Sequence, residues 1–83
     1  MNNTVNHAVA MKINALLKEK GMTKYRLALN SGVSHSTLKN ILNETVTDNL
    51  LSTIILIAGG FDMTASEFLD DISFLEENLK IKR

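Results

Sequence analysis

The chain has 83 residues, a formal net charge of zero and no cysteine, which allows one domain and excludes disulfides and thiolate metal sites. Its longest apolar run covers only residues 54–58, whereas a membrane span needs about 20 residues. Residues 1–10 lack the basic and apolar regions of a signal peptide. We therefore expect a cytoplasmic protein.

The charges are divided unevenly along the chain. Residues 1–43 carry six basic residues and one acidic residue, a net charge of +5. Residues 44–83 carry three basic and eight acidic residues, a net charge of −5. A basic half indicates contact with nucleic acid. A chance division of charge, as small proteins often have, is the alternative.

Apolar residues at helical spacing predict a first helix from about residue 6 to residue 20, ended by Gly21. Two short helices are predicted next, over residues 24–30 and 35–42, with Thr23 and Ser34 as their N-caps. The predicted core positions of these three helices are Val9, Ile13, Leu16, Leu17, Leu27, Ala28, Leu38, Ile41 and Leu42.

Asp48 is the predicted N-cap of a fourth helix that ends at Gly59 and Gly60. Thr64 and Glu67 have the spacing of a capping box, which predicts a short fifth helix with Phe68 and Leu69 packed inward. No stretch alternates apolar and polar residues as a strand would. The fold class is therefore all-α, with five helices in a domain over residues 1–69 and a C-terminal extension over residues 70–83 that can form a sixth helix.

Residues 23–43 have the organisation of a helix-turn-helix. Gly32 can adopt the positive φ that a sharp turn between helices requires. Ala28 is small enough for the second and third helices to cross closely, and Val33 is expected to fill the corner against the core. Ser34 then begins the third helix, whose first residues project outward.

These residues are similar to the helix-turn-helix of the lambda-repressor and Cro family of phage and bacterial regulators. The similarity extends to residues 11–21 and 54–69. The matching positions within the motif are Thr23, Leu27, Ala28, Gly32, Val33, Ser34, Ser36, Thr37, Leu38, Ile41, Leu42 and Asn43.

The resemblance implies that the third helix lies in the major groove of DNA. Residues on its outer side would read base edges, with Thr37 partly inward; these residues are His35, Ser36, Thr37, Lys39 and Asn40. It also implies phosphate contacts at the start of the second helix and in the loop after the third, by Thr23, Lys24, Tyr25, Asn43 and Thr45.

Three positions need comment. The family often has glutamine where this chain has Lys24, which keeps a donor and adds a charge. For Tyr25, a partly buried packing ring is an equal alternative to a phosphate contact. Glu44 stands where glycine is frequent, and together with Asp48 it is expected to weaken DNA binding unless the two carboxylates point away from the DNA.

Leu56 lies at a position that is usually polar in such domains, and the extension adds Ile72, Leu75 and Leu79. An exposed apolar stripe of this kind indicates a partner surface. We interpret it as a homodimer interface, with DNA half-sites about 34 Å apart. The alternative is that the extension folds back on the first helix and completes the core.

The sequence thus predicts a sequence-specific transcriptional regulator, a repressor of phage or bacterial type that binds double-stranded DNA. No enzyme activity, metal or cofactor is expected, because His7 and His35 share no ligand or catalytic motif. The alternative is a protein-interaction module on the same fold, such as an antitoxin-like partner with little DNA binding. The polar residues at 35, 36 and 40 favour DNA.

Overall fold

The structure is a computed structural model that describes residues 5–44 and 51–70. These two ranges contain helices and turns but no strand, which confirms the predicted all-α fold. None of the described helices is long and apolar enough to cross a membrane. In chain order the helices are α1 (Val5–Lys20), α2 (Lys24–Ser31), α3 (His35–Leu42), α4 (Leu51–Gly60) and α5 (Ala65–Leu69).

Every one of the five helices contributes side chains to one hydrophobic core. The predicted face of α1 is buried, as are the predicted core residues Leu27, Leu38 and Ile41. Phe61 lies in the turn after α4 and is only 1% exposed, although the helical periodicity did not single it out. Three residues that were predicted to face inward are only half-buried and lie at the margin of this core: Ala28, Leu42 and Leu69.

The packing of α2 against α4 depends on the last residue of α4. Gly60 is buried, and a Cβ atom built on it would lie 2.8 Å from Cβ of Ser31 and 2.9 Å from Cδ1 of Leu27. Both neighbours belong to α2, so the two helices meet at van der Waals distance only because residue 60 has no side chain. Gly60 therefore has a packing role in addition to its predicted place at the end of α4.

The chain leaves α4 through a left-handed residue that is not a glycine. Asp62 has φ +60°, its N–H donates to the carbonyl of Gly59, and the N–H of Met63 donates to the carbonyl of Ala58. With the N–H of Phe61, which also donates to the carbonyl of Ala58, these bonds satisfy carbonyls at the helix end. The turn also carries the fully buried Phe61 into the core.

The structure confirms the predicted capping box at the start of α5. The N–H of Glu67 donates to Oγ1 of Thr64 at 3.1 Å, and the N–H of Thr64 donates to the Glu67 carboxylate at 3.0 Å. Phe68 follows directly and is buried. The capping box therefore fixes the start of the helix that carries this core residue.

Substituting Gly60 by alanine should destabilise the fold. The new methyl group would overlap α2, and overpacking of this kind costs about 1–3 kcal/mol. Gly59→Ala is the matched control, because a Cβ at residue 59 has no neighbour within 4 Å. That control should raise the free energy of unfolding by about 0.5–1 kcal/mol through helix propensity. Urea unfolding measures both variants, and equal effects at the two glycines would contradict the close approach of α2 and α4.

The capping box predicts a titration of Glu67 below the ordinary range. The hydrogen bonds from Thr64, first from its backbone and then from its side chain, hold the pKa of the Glu67 carboxyl below its ordinary value of 4.5. Because the ionised form is the one that is bonded, the stabilisation is complete above pH 4.5 and is lost as the pH falls through the lower pKa of the folded chain. Carboxyl-carbon NMR should give a midpoint below 4.5 in the wild-type chain and a higher midpoint in Thr64→Ala. A wild-type midpoint at or above 4.5 would argue against the capping box.

Candidate DNA-binding surface

The turn between α2 and α3 is held by Ser31 and Gly32. Gly32 has φ +77°, and its N–H donates to the carbonyl of Ala28 at 3.0 Å. The hydroxyl of Ser31 accepts from the N–H of Val33 at 3.1 Å and donates to the same Ala28 carbonyl at 3.4 Å. Val33 is buried in the core. The positive φ predicted for Gly32 and the buried position predicted for Val33 are confirmed, and together they fix the direction in which α3 leaves α2.

The first turn of α3 is held by its N-cap residue. Oγ of Ser34 accepts from the N–H of Thr37 at 3.1 Å and donates to Oγ1 of Thr37 at 2.8 Å. Thr37 was expected to lie partly inward, but its side chain is exposed because its hydroxyl is held at the helix end by Ser34. The expectation for Thr37 is therefore wrong, and this residue helps to order the start of α3.

The rest of α3 divides into a buried side and an exposed side. Leu38 and Ile41 are buried in the core. Successive residues of an α-helix are rotated by about 100°, which places residues 35, 36, 39, 40 and 43 on one arc. All the side chains on this arc are exposed: His35, Ser36, Lys39, Asn40 and Asn43. The structure thus brings four of the five predicted base-reading residues together on one exposed face, which we call the polar face of α3.

The start of α2 presents a second group of predicted contact residues. Thr23 is the N-cap, since its Oγ1 accepts from the N–H of Arg26 at 3.1 Å. Lys24 is exposed, and Tyr25 is 65% exposed, so the alternative of a partly buried Tyr25 ring is wrong. Arg26 is also exposed and basic, although the sequence interpretation gave it no role. Its charge and its place in the first turn of α2 are the signals that point to it.

Glu44 directly follows Asn43, the residue that caps α3, and its backbone is left-handed with φ +58°. Glycine adopts this conformation without strain, which accounts for its frequency at this position in the family that the sequence resembles. The Glu44 carboxylate accepts a hydrogen bond from Nδ1 of His7 on α1, at 3.0 Å to one oxygen and 3.2 Å to the other. The carboxylate is thus held against α1.

His7 had been assigned no role from the sequence. Its partner is 37 residues away, so no local motif could have linked the two residues. The one available signal was the glutamate at a position where the family frequently has glycine.

Several predicted residues lie outside the described part of the chain, namely Thr45, Asp48, Ile72, Leu75 and Leu79. Leu56, the remaining residue of the predicted dimer surface, is 49% exposed on α4. Leu51 and Ile55 are exposed on the same helix. We call these three side chains the apolar face of α4.

Comparison with known proteins gives a family for the chain. Residues 12–73 match the family model of the Cro/C1-type HTH DNA-binding domain. No curated protein matches the sequence significantly. The match covers well over half of the 83 residues and includes the whole helix-turn-helix described above. The chain therefore belongs to the Cro/C1-type helix-turn-helix family of DNA-binding domains.

Proposed function

We propose that this protein is a sequence-specific transcriptional regulator of phage or bacterial type, and that it acts as a repressor in the cytoplasm. It binds double-stranded DNA as a homodimer. It is not an enzyme and needs no cofactor. Family membership supports DNA binding in general, and the proposals on specificity, repression and dimerisation rest on the surfaces described above.

The polar face of α3 is the observation that carries this proposal. The major groove is wide enough for an α-helix, and each base pair presents a distinct pattern of donors and acceptors there. Asn40 can pair with adenine through two hydrogen bonds, and Ser36 and His35 can bond to several base edges. Lys39 suits guanine or a phosphate, and Thr37 offers a methyl group for contact with thymine.

The start of α2 would hold the DNA backbone. Thr23, Lys24, Tyr25 and Arg26 combine side-chain donors with the N–H groups of a helix N-terminus, which favour phosphates. Asn43 and Thr45, which follow α3 in the sequence, would contact further phosphates. Contacts of this kind position a protein on DNA without reading its sequence.

Dimerisation would compensate for the small number of basic side chains near α3. Residues 23–44 contain only three basic residues, Lys24, Arg26 and Lys39. A dimer on two half-sites would make twice as many phosphate contacts as one subunit on one half-site. The apolar face of α4 supports this proposal, because exposed large apolar side chains grouped on one helix are typical of a partner surface. Ile72, Leu75 and Leu79 would extend this interface.

Selection from a random DNA duplex pool tests the proposed function directly. An enriched inverted repeat, with half-sites about 34 Å apart, is expected. Binding of the winning duplex should fall with salt, with a slope of about −0.9 for each phosphate neutralised. A pool without enrichment, and only weak binding that salt abolishes, would instead favour the protein-interaction module.

Substitutions should separate base reading from backbone binding. We expect Asn40→Ala and Ser36→Ala to relax the sequence preference, with each lost base contact costing about 1–3 kcal/mol on the preferred site. Lys24→Ala should weaken binding to all duplexes alike and reduce the salt slope by about one. Titration of preferred and scrambled duplexes with each variant measures both effects. If Asn40→Ala left affinity and preference unchanged, the proposed register of α3 on DNA would be wrong.

The dimer proposal predicts a difference between two exposed leucines. Leu56→Ser should weaken self-association by about tenfold or more, because burying a leucine contributes about 1.5–3 kcal/mol. Leu29→Ser is the matched control, since Leu29 is a similarly exposed leucine, at 57%, that belongs to α2 and not to the apolar face of α4. Sedimentation equilibrium of both variants and the wild type measures the effect. A wild-type chain that stays monomeric, or equal effects at the two leucines, would count against this interface.

A further inference from the structure

Helices α1 and α3 pack against each other. The hydrogen bond between His7 and Glu44 joins the start of α1 to the residue that follows the end of α3 and its cap, Asn43. An ionised carboxylate can only accept hydrogen bonds, so the proton lies on Nδ1 of His7. Both side chains are partly exposed, at 43% for His7 and 39% for Glu44. A pair at this depth contributes little to folding, so stability does not explain the acidic residue at this position.

The left-handed backbone conformation at position 44 is unusual for a glutamate. Its φ of +58° is a conformation that side chains disfavour and that glycine adopts freely. Asp62, in the turn after α4, is the other described non-glycine residue with a positive φ. A strained residue next to a binding surface is a reason to look for a role in that binding.

Charge suggests what that role is. Residues 23–44 form the helix-turn-helix and the residue that follows it, and they contain three basic residues and a single acidic one, Glu44. Glu44 comes directly after Asn43, which lies on the polar face of α3. A carboxylate at this point repels an approaching phosphate, and the repulsion decreases as the carboxylate is drawn away from the DNA.

The geometry points to a pair that sets the strength of DNA binding. Glu44 lowers the affinity for the DNA backbone. His7 limits this loss because it holds the carboxylate against α1, which packs with the buried side of α3. Glu44 is thus a residue that tunes affinity, and His7 is a positioning residue that acts through it. This inference rests on the proposed DNA binding and adds two residues that the base and phosphate contacts do not include.

A double-mutant cycle on the selected duplex tests the pair. Glu44→Gln keeps the size of the residue and removes its charge, and the remaining amide oxygen can still accept a hydrogen bond from His7. It should raise affinity about 3- to 10-fold at low salt, and the gain should shrink as salt screens the charge. His7→Ala should lower affinity about 2- to 5-fold in the wild-type chain and have little effect in Glu44→Gln, as expected for two coupled residues.

Asp62→Asn is the matched control for net charge. Asp62 is acidic, exposed and left-handed like Glu44, but it lies in the turn after α4. The Asp62→Asn variant should therefore bind DNA with the wild-type affinity at every salt concentration. An equal gain from Asp62→Asn would show a general charge effect and overturn the assignment to Glu44, and so would an equal effect of His7→Ala in both backgrounds.

Failure of this inference is distinguishable from failure of the proposed function. If the wild-type chain binds the selected duplex and Glu44→Gln binds it equally well, only the role of Glu44 and His7 is rejected. If the wild-type chain binds no duplex, both proposals are rejected. Urea unfolding of each variant checks that a change in affinity does not arise from a loss of folded protein.

Discussion

The orientation of α3 depends on the small side chain of Ser31. Its Cβ lies at the point where α2 meets Gly60 of α4, and its hydroxyl accepts the N–H of Val33 in the turn that leads to α3. A larger residue at position 31 would push the two helices apart, and a residue without a hydroxyl would leave a buried N–H without its partner. One side chain therefore connects the packing of the core with the direction of α3, the helix that would face DNA under the proposed function.

Polar side-chain groups around α2 and α3 have two separate tasks. Those of Thr23 and Ser34 bind backbone N–H groups at the starts of the two helices, and Ser31 serves the turn between them. Ser36 and Asn40 lie on the outer arc of α3, where base edges are within reach under the proposed function. Because the capping groups order the backbone of α3, the side chains proposed to read bases, Ser36 and Asn40, project from an ordered helix. Fixed groups lose less entropy on binding than mobile ones.

Local patterns in the sequence were sufficient for the five described helices and for the N-caps Thr23, Ser34 and Thr64. The spacing of Val9, Ile13 and Leu16 predicted the buried face of α1, and Thr64 with Glu67 predicted the capping box of α5. These features depend on residues three or four positions apart, so a single stretch of sequence contains them.

Contacts between distant segments could not be predicted in this way. Gly60 was interpreted only as the end of a helix, although its contact with Ser31 sets the distance between α2 and α4. Phe61 is in a turn, where helical periodicity gives no information about burial. The pairing of His7 with Glu44 arises because the fold places α1 beside the end of α3. The missing information is therefore tertiary: it depends on which helices pack together, and not on the pattern within any one of them.

The modest charge of the helix-turn-helix has a consequence for regulation under the proposed function. With three cations and one anion in residues 23–44, the helix-turn-helix of one subunit can neutralise only a few phosphates. Tight binding then requires two subunits on two half-sites, so that occupancy of the operator rises steeply with protein concentration. If Glu44 weakens each half-site, as inferred above, this dependence on the dimer increases. Weak single contacts are in this view a means of making repression sensitive to the amount of protein, because a monomer alone would not hold the site.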